Sequence, residues 1–299
     1  MHERTIDVGG QLDLGRTMFP LRRGRGDPVM RIDGAVVWRA MRTPDGPATV
    51  RLTQTDRSRV EALAWGPGAS WGLDRAPASV GALDDTSGFE PRHPAVAGAW
   101  RRYRGVRITH TWDVLPALLA AVCEQKVTGL EARRSWRGLV RATSEPAPGP
   151  GDLLLPPDPA RIAGLPSYGF HMFGIERRRA EVLKGLAARG GRISGLADQA
   201  LEAAKAWLAL LPGVGMWTVA EVARLALGDA DAVSVGDYHV PNLVAWALAG
   251  EPRGTDERML ELLEPYRGHR GRVQRLLEAA GTHAPAFGPR TEIRSIVGI

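Results

Sequence analysis

Residues 210–218 read Leu210-Leu211-Pro212-Gly213-Val214-Gly215-Met216-Trp217-Thr218, and residues 234–242 read Ser234-Val235-Gly236-Asp237-Tyr238-His239-Val240-Pro241-Asn242. Before the first stretch, Leu201, Ala204, Leu208 and Leu211 recur at helical spacing. After it, Val219, Val222, Ala223, Ala226 and Leu227 do the same until Gly228 ends the pattern. Two helices therefore flank Pro212-Gly213-Val214-Gly215, a helix-hairpin-helix. Pro212 has no N–H, and the glycines permit positive φ and close backbone approach. A helix beginning at Met216 leaves its first amides without intrahelical partners, so a phosphate placed there is held whatever the base sequence.

Asp237 lies 22 residues beyond Gly215, after one helix and a short loop, where a new helical pattern with Leu243, Val244, Ala247 and Leu248 begins. An aspartate at such a place caps a helix well. Taken alone, the hairpin is equally a tight corner between helices and Asp237 only a cap. Together, hairpin, helix and lone carboxylate resemble the helix-hairpin-helix DNA glycosylase superfamily, closest to its DNA-3-methyladenine glycosylase II family. The likeness runs from the N-terminal part to about residue 280.

That resemblance implies an enzyme that everts a damaged nucleotide from double-stranded DNA and hydrolyses its N-glycosidic bond, with Asp237 catalytic. Gly213, Val214, Gly215, Met216 and Thr218 would hold the phosphate strand. The carbonyls of Leu211, Gly213 and Val214 would hold a Na+ or K+ ion, with no other cofactor required. Members that also cut the strand carry a lysine two residues after the second hairpin glycine; Trp217 stands there, and an indole forms no imine. The expectation is a monofunctional hydrolase of base excision repair, acting on alkylated bases of the 3-methyladenine and 7-methylguanine type. Trp217 and Tyr266 are expected to stack on a cationic base, with Glu221 in the pocket where an aromatic residue is often found. Readings left open are a glycosylase for oxidised, deaminated or mispaired bases, and a damaged-DNA-binding protein without catalysis.

Composition fits such a partner. The 299 residues are 44% hydrophobic, and the net charge of +6 is carried almost wholly by arginine, with lysine at 126, 184 and 205 alone. That balance favours polyanions in general, acidic membranes and ribosomes included. The single cysteine, Cys123, excludes an internal disulfide and any four-cysteine iron–sulfur cluster or zinc site. Neither a signal peptide nor an apolar run of about 20 residues stands in the sequence, so a cytoplasmic monomer is expected.

An α+β architecture follows, with a small antiparallel sheet over residues 1–95 and an all-α domain over 96–290. Met30 and Ile32, then Val36, Trp38 and Ala40, then Val50 and Leu52 read as strands separated by Asp33-Gly34 and Pro44-Asp45-Gly46-Pro47. Residues 56–64 are expected to be helical and 66–94 irregular, with Trp38, Trp65 and Trp71 packing internally. A stripe of Leu115, Leu118, Leu119, Val122 and Cys123 precedes Gln125-Lys126-Val127. Thr128 and Glu131 then form a capping box. In the family the turn between two such helices fills the gap left by the everted nucleotide; Lys126 stands where an apolar wedge is usual, so Lys126 meets a phosphate or Val127 intrudes. Residues 143–159 read as a surface loop, and Arg177-Arg178-Arg179 as a solvated helix face or a second phosphate contact.

Overall fold

The computed structural model describes residues 1–285; the end of the expected helical domain and the tail lie outside them. The chain begins with β1 (His2–Asp7) and α1 (Leu14–Met18). Then follow β2 (Met30–Asp33), β3 (Val36–Thr43), β4 (Gly46–Gln54), β5 (Arg59–Trp65) and α2 (Ala69–Ser79). Helices follow: α3 (Pro94–Arg102), α4 (Val114–Glu124), α5 (Gly129–Thr143), α6 (Pro159–Gly164), α7 (Arg177–Ala187), α8 (Gly190–Ser194) and α9 (Leu201–Ala209). The last are α10 (Met216–Ala226), α11 (Val240–Ala249), α12 (Asp256–Leu263) and α13 (Arg270–Ala279). None of these helices is long and apolar enough to cross a membrane. The α+β expectation holds.

The sheet is antiparallel throughout, in the order β1-β5-β4-β3-β2. Both expected hairpins form, with Gly34 at φ +59° and Gly46 at φ +115° supplying the left-handed positions of the turns. The helix expected over 56–64 is instead a turn followed by β5. Val60, Ala62 and Ala64 are buried while Arg59 and Glu61 are exposed, a period of two that a helical reading of Val60, Leu63 and Ala64 overlooked. The segment after it is not all irregular either, because α2 forms there with Pro77 inside it. β1 closes the far edge by pairing antiparallel with β5, His2 opposite Ala64 and Asp7 opposite Arg59.

One face of the sheet packs on α2 around Val37, Met41, Val50, Leu52 and Leu73. Val29 and Ala40 belong to a second core, built mainly from α4, α5, α7 and α10. Salt links from β3 tie the layers, Arg42 to Glu145 at 2.7 Å and Arg39 to Asp113. Residues 143–159 thus pass against the sheet, with Leu153 and Leu155 buried, and are no free surface loop. A third core gathers Val96 of α3 with α11, α12 and α13. The helical part therefore holds two cores, and the chain passes from one to the other after α10, through the loop that carries Asp237.

Candidate active site

The hairpin between α9 and α10 forms as its glycines require. Gly213 has φ +81°, and a Cβ there would lie 2.4 Å from Val182 Cγ2 on α7, so both backbone and packing exclude a side chain. Gly215 differs: its φ is −94° and a Cβ there would meet nothing within 4 Å. The fold does not need glycine at 215, and the space in front of it is open. The first backbone bond of α10 runs from Val219 N to Gly215 O at 3.0 Å, and no side chain caps the helix. The amides of Gly215, Met216, Trp217 and Thr218 therefore have no partner on the preceding turn, which leaves a helix end suited to an anion. Met216 is 72% exposed beside them.

The turn between α4 and α5 is fastened to this hairpin. Gln125 Nε2 donates to Gly213 O at 2.9 Å and to Thr218 Oγ1 at 3.0 Å. A carbonyl accepts only, which fixes the amide's orientation. The expected capping box is complete: the Thr128 hydroxyl accepts from Glu131 N, and Glu131 Oε2 accepts from Thr128 N at 2.8 Å. Between these anchors Lys126 is exposed with φ +54°, a conformation an L-residue holds only where its surroundings impose it. Val127 is partly buried beside it. Of the arginine run, Arg177 and Arg178 are exposed, whereas Arg179 turns inward to donate to Cys123 O and Gly174 O, both at 3.1 Å.

Asp237 is partly exposed, and three N–H groups hold its carboxylate. Oδ1 accepts from His239 N at 2.7 Å and Val240 N at 3.0 Å, so the residue does cap α11. Oδ2 accepts from Trp217 Nε1 at 3.0 Å, which ties the carboxylate to the first turn of α10. Hairpin and carboxylate thus share a side chain. His239 is exposed, its ring edge-on to Tyr238.

Two expected pocket residues, Tyr266 and Glu221, are placed otherwise. Tyr266 is 3% exposed inside the third core, and its hydroxyl meets His93 N at 2.9 Å and His93 Nδ1 at 2.7 Å. A ring so packed has no face to offer a base; the short 3-10 turn Glu264–Tyr266 directs it inward. Glu221 is buried as well. Its carboxylate accepts from Arg224 Nη2 at 2.9 and 3.0 Å and from Ser234 Oγ at 2.6 Å. Burial opposes its ionisation, but the Arg224 charge and the Ser234 and Arg224 hydrogen bonds outweigh that and hold the carboxyl below its ordinary range. Ser234 O in turn accepts from Asp237 N at 3.1 Å, so Glu221 anchors the loop that presents the carboxylate. Trp217 is half-buried with its N–H engaged, a positioning contact that spacing alone could not show. Replacing it by phenylalanine keeps the ring and removes the donor. Trp217→Phe is expected to slow chemistry at the Asp237 carboxylate about tenfold, the worth of one charge-assisted hydrogen bond; an unaltered single-turnover rate would assign the ring to packing or stacking.

An antiparallel sheet and two helical cores, with a hairpin and a carboxylate at the junction of those cores, make up a fold that solved DNA glycosylases share. No family model matches the chain, and no curated protein matches it by sequence. Among solved structures, a 3-methyladenine DNA glycosylase from Archaeoglobus fulgidus aligns with a TM-score of 0.75 at 16% identity, over 92% of this chain and 97% of that one. MBOgg1, in complex with a low-affinity DNA ligand, aligns with a TM-score of 0.70 at 14% identity, over 94% and 100%. The Clostridium acetobutylicum 8-oxoguanine glycosylase/lyase, bound to double-stranded DNA containing cytosine opposite 8-oxoguanine, gives 0.68 at 14% identity, over 90% and 91%. The likeness is one of fold.

Proposed function

We propose that the chain is a DNA glycosylase without lyase activity, which everts a damaged nucleotide from duplex DNA and hydrolyses its N-glycosidic bond. The observation that carries this reading is the Asp237 carboxylate, partly open and held by Trp217, His239 and Val240 within one side chain of an unpaired helix end. Breaking the bond builds positive charge on the sugar, in the manner of oxocarbenium-like glycoside transition states. A fixed carboxylate offsets that charge and orients the attacking water. The amides of residues 215–218 grip a phosphate of the same strand, and the exposed Lys126 at the tip of the neighbouring turn meets another. The N–H bonds leave the Asp237 oxygens further lone pairs for water.

The same hairpin suits a Na+ or K+ ion bound through main-chain oxygens. Leu211 O accepts from Val214 N and Gly213 O from Gln125, and each keeps a lone pair, with the Val214 carbonyl beside them. Such an ion would neutralise part of the phosphate charge at the grip.

Alkylated purines are the substrates that the sequence resemblance favours. The specific observation behind a second substrate reading, an oxidised or deaminated base, is that Tyr266 and Glu221 are buried, at 3% and 9% exposure. Incubation with damaged duplexes, followed by chromatography of released bases, tests the activity: free base with an intact abasic strand is expected. With tryptophan at 217, borohydride is expected to trap no covalent adduct, and robust trapping would refute the monofunctional assignment.

A further inference from the structure

A cleft of about 220 Å³ opens where residues 22–24, in the loop after α1, meet the end of α4 and the first turns of α5. That is below the roughly 300–1,000 Å³ of sites for drug-sized ligands and suits a single heterocycle. Its ionisable lining is Arg22, Arg23 and Arg133 against Glu124, a net formal charge of +2 from three cations and one anion. Arg23 Nη1 donates to Glu124 Oε1 at 2.8 Å, and burial pushes the Glu124 carboxyl above its ordinary range against the pull of Arg23. Arg22 Nε is buried without a hydrogen-bond partner among the described residues. Among the described residues no aromatic ring lines this cleft.

We propose that the cleft receives the everted base and reads its edge by hydrogen bonds, selecting neutral bases with an N–H beside a C=O over cationic alkylated purines. This rests on the glycosylase reading above. A carboxylate accepts from N–H, and a guanidinium donates to C=O. An edge such as that of hypoxanthine, uracil or 8-oxoguanine therefore finds an acceptor in Glu124 and donors among the lining arginines. A cationic purine would enter a cleft of its own sign with no ring face to stack on. Undamaged guanine and thymine also carry such an edge, and the cost of leaving a matched pair holds them back.

Connectivity links the cleft to the carboxylate. Glu124 immediately precedes Gln125, whose amide is fastened to Gly213 and Thr218. Thr218 follows Trp217, whose indole is fastened to Asp237. Arg22 and Arg23 come from the sheet domain, so that domain supplies half of the base-reading wall.

The test is single-turnover excision by the full chain from duplexes containing hypoxanthine, uracil or 8-oxoguanine and from methylated DNA, for wild type, Glu124→Gln and Arg22→Ala. Affinity for a duplex with a tetrahydrofuran abasic site is measured in parallel. Wild type is expected to release at least one of the three neutral bases faster than the methylated purines. Either substitution lowers the ratio of neutral-base to methylpurine release about tenfold or more, as loss of a hydrogen bond to a charged group does. Release of methylated purines but of no neutral base would overturn the proposal and leave the glycosylase reading standing, as would equal losses on every substrate. Release of no base from any duplex would sink both.

Discussion

Asp237→Asn is expected to release base about a thousandfold more slowly than wild type while binding duplex DNA as tightly. A carboxylate about 4 Å from a developing unit charge, at an effective dielectric near 20, contributes about 4 kcal/mol, which is about three orders of magnitude in rate. Asparagine has the same shape, and its Oδ1 can still accept from His239 N and Val240 N and cap α11. Its Nδ2 then faces the Trp217 indole N–H, a lost acceptor costing about 1 kcal/mol. That local cost is small beside the rate effect, and the grip formed by residues 215–218 is untouched. Single-turnover release and equilibrium binding, measured on the same preparation, check both halves. Wild-type rates in the variant would reduce Asp237 to a cap of α11.

Glu221→Ala is expected to lower stability strongly. It removes the acceptor for two Arg224 bonds and for the Ser234 hydroxyl, all buried. Stripping one partner from a buried ion pair costs about 3–5 kcal/mol; Glu278, 3.1 Å from Arg224, places this case near the lower end. At roughly 2–4 °C per kcal/mol, Tm falls by about 6–12 °C. The sign with pH follows from linkage. The folded-state carboxyl titrates below the ordinary value, so its contribution is complete above about pH 4.5 and is lost as pH falls through the lower folded value. The gap in Tm between wild type and Glu221→Gln should therefore narrow on acidification below about pH 4.5. A constant gap would mean that the carboxylate's charge contributes nothing there. Because Ser234 carries the Asp237 amide, base release should suffer in the same variants even at temperatures where they stay folded.

The parts of this account that were legible in the sequence are those written in neighbouring residues. The Pro212-Gly213 hairpin, the Thr128 and Glu131 capping box and a carboxylate at the start of α11 each depend on contacts within one or two turns. What failed depends on distant partners. Val60, Leu63 and Ala64 fit a helical stripe as well as a strand, and only pairing with β1 and β4 decides between them. The ring of Tyr266 is drawn inward by His93, 173 residues earlier, and the Trp217 N–H is engaged because Asp237 lies opposite. The Arg22, Arg23 and Glu124 wall was invisible for the same reason. In the linear chain it is a basic loop and, about a hundred residues on, a helix-terminal glutamate; the fold alone makes it one cleft.

The central claim, that a helix-end grip delivers the sugar to one ionised side chain, is tested most directly by comparing two abasic analogues that differ by a single charge. Duplexes carrying a cationic pyrrolidine or a neutral tetrahydrofuran ring are titrated against wild type and Asp237→Asn. Wild type should prefer the cation by about tenfold or more, equivalent to about 1.4 kcal/mol, and the variant should lose that preference while binding the neutral analogue equally well. The same preference in both proteins would contradict the account.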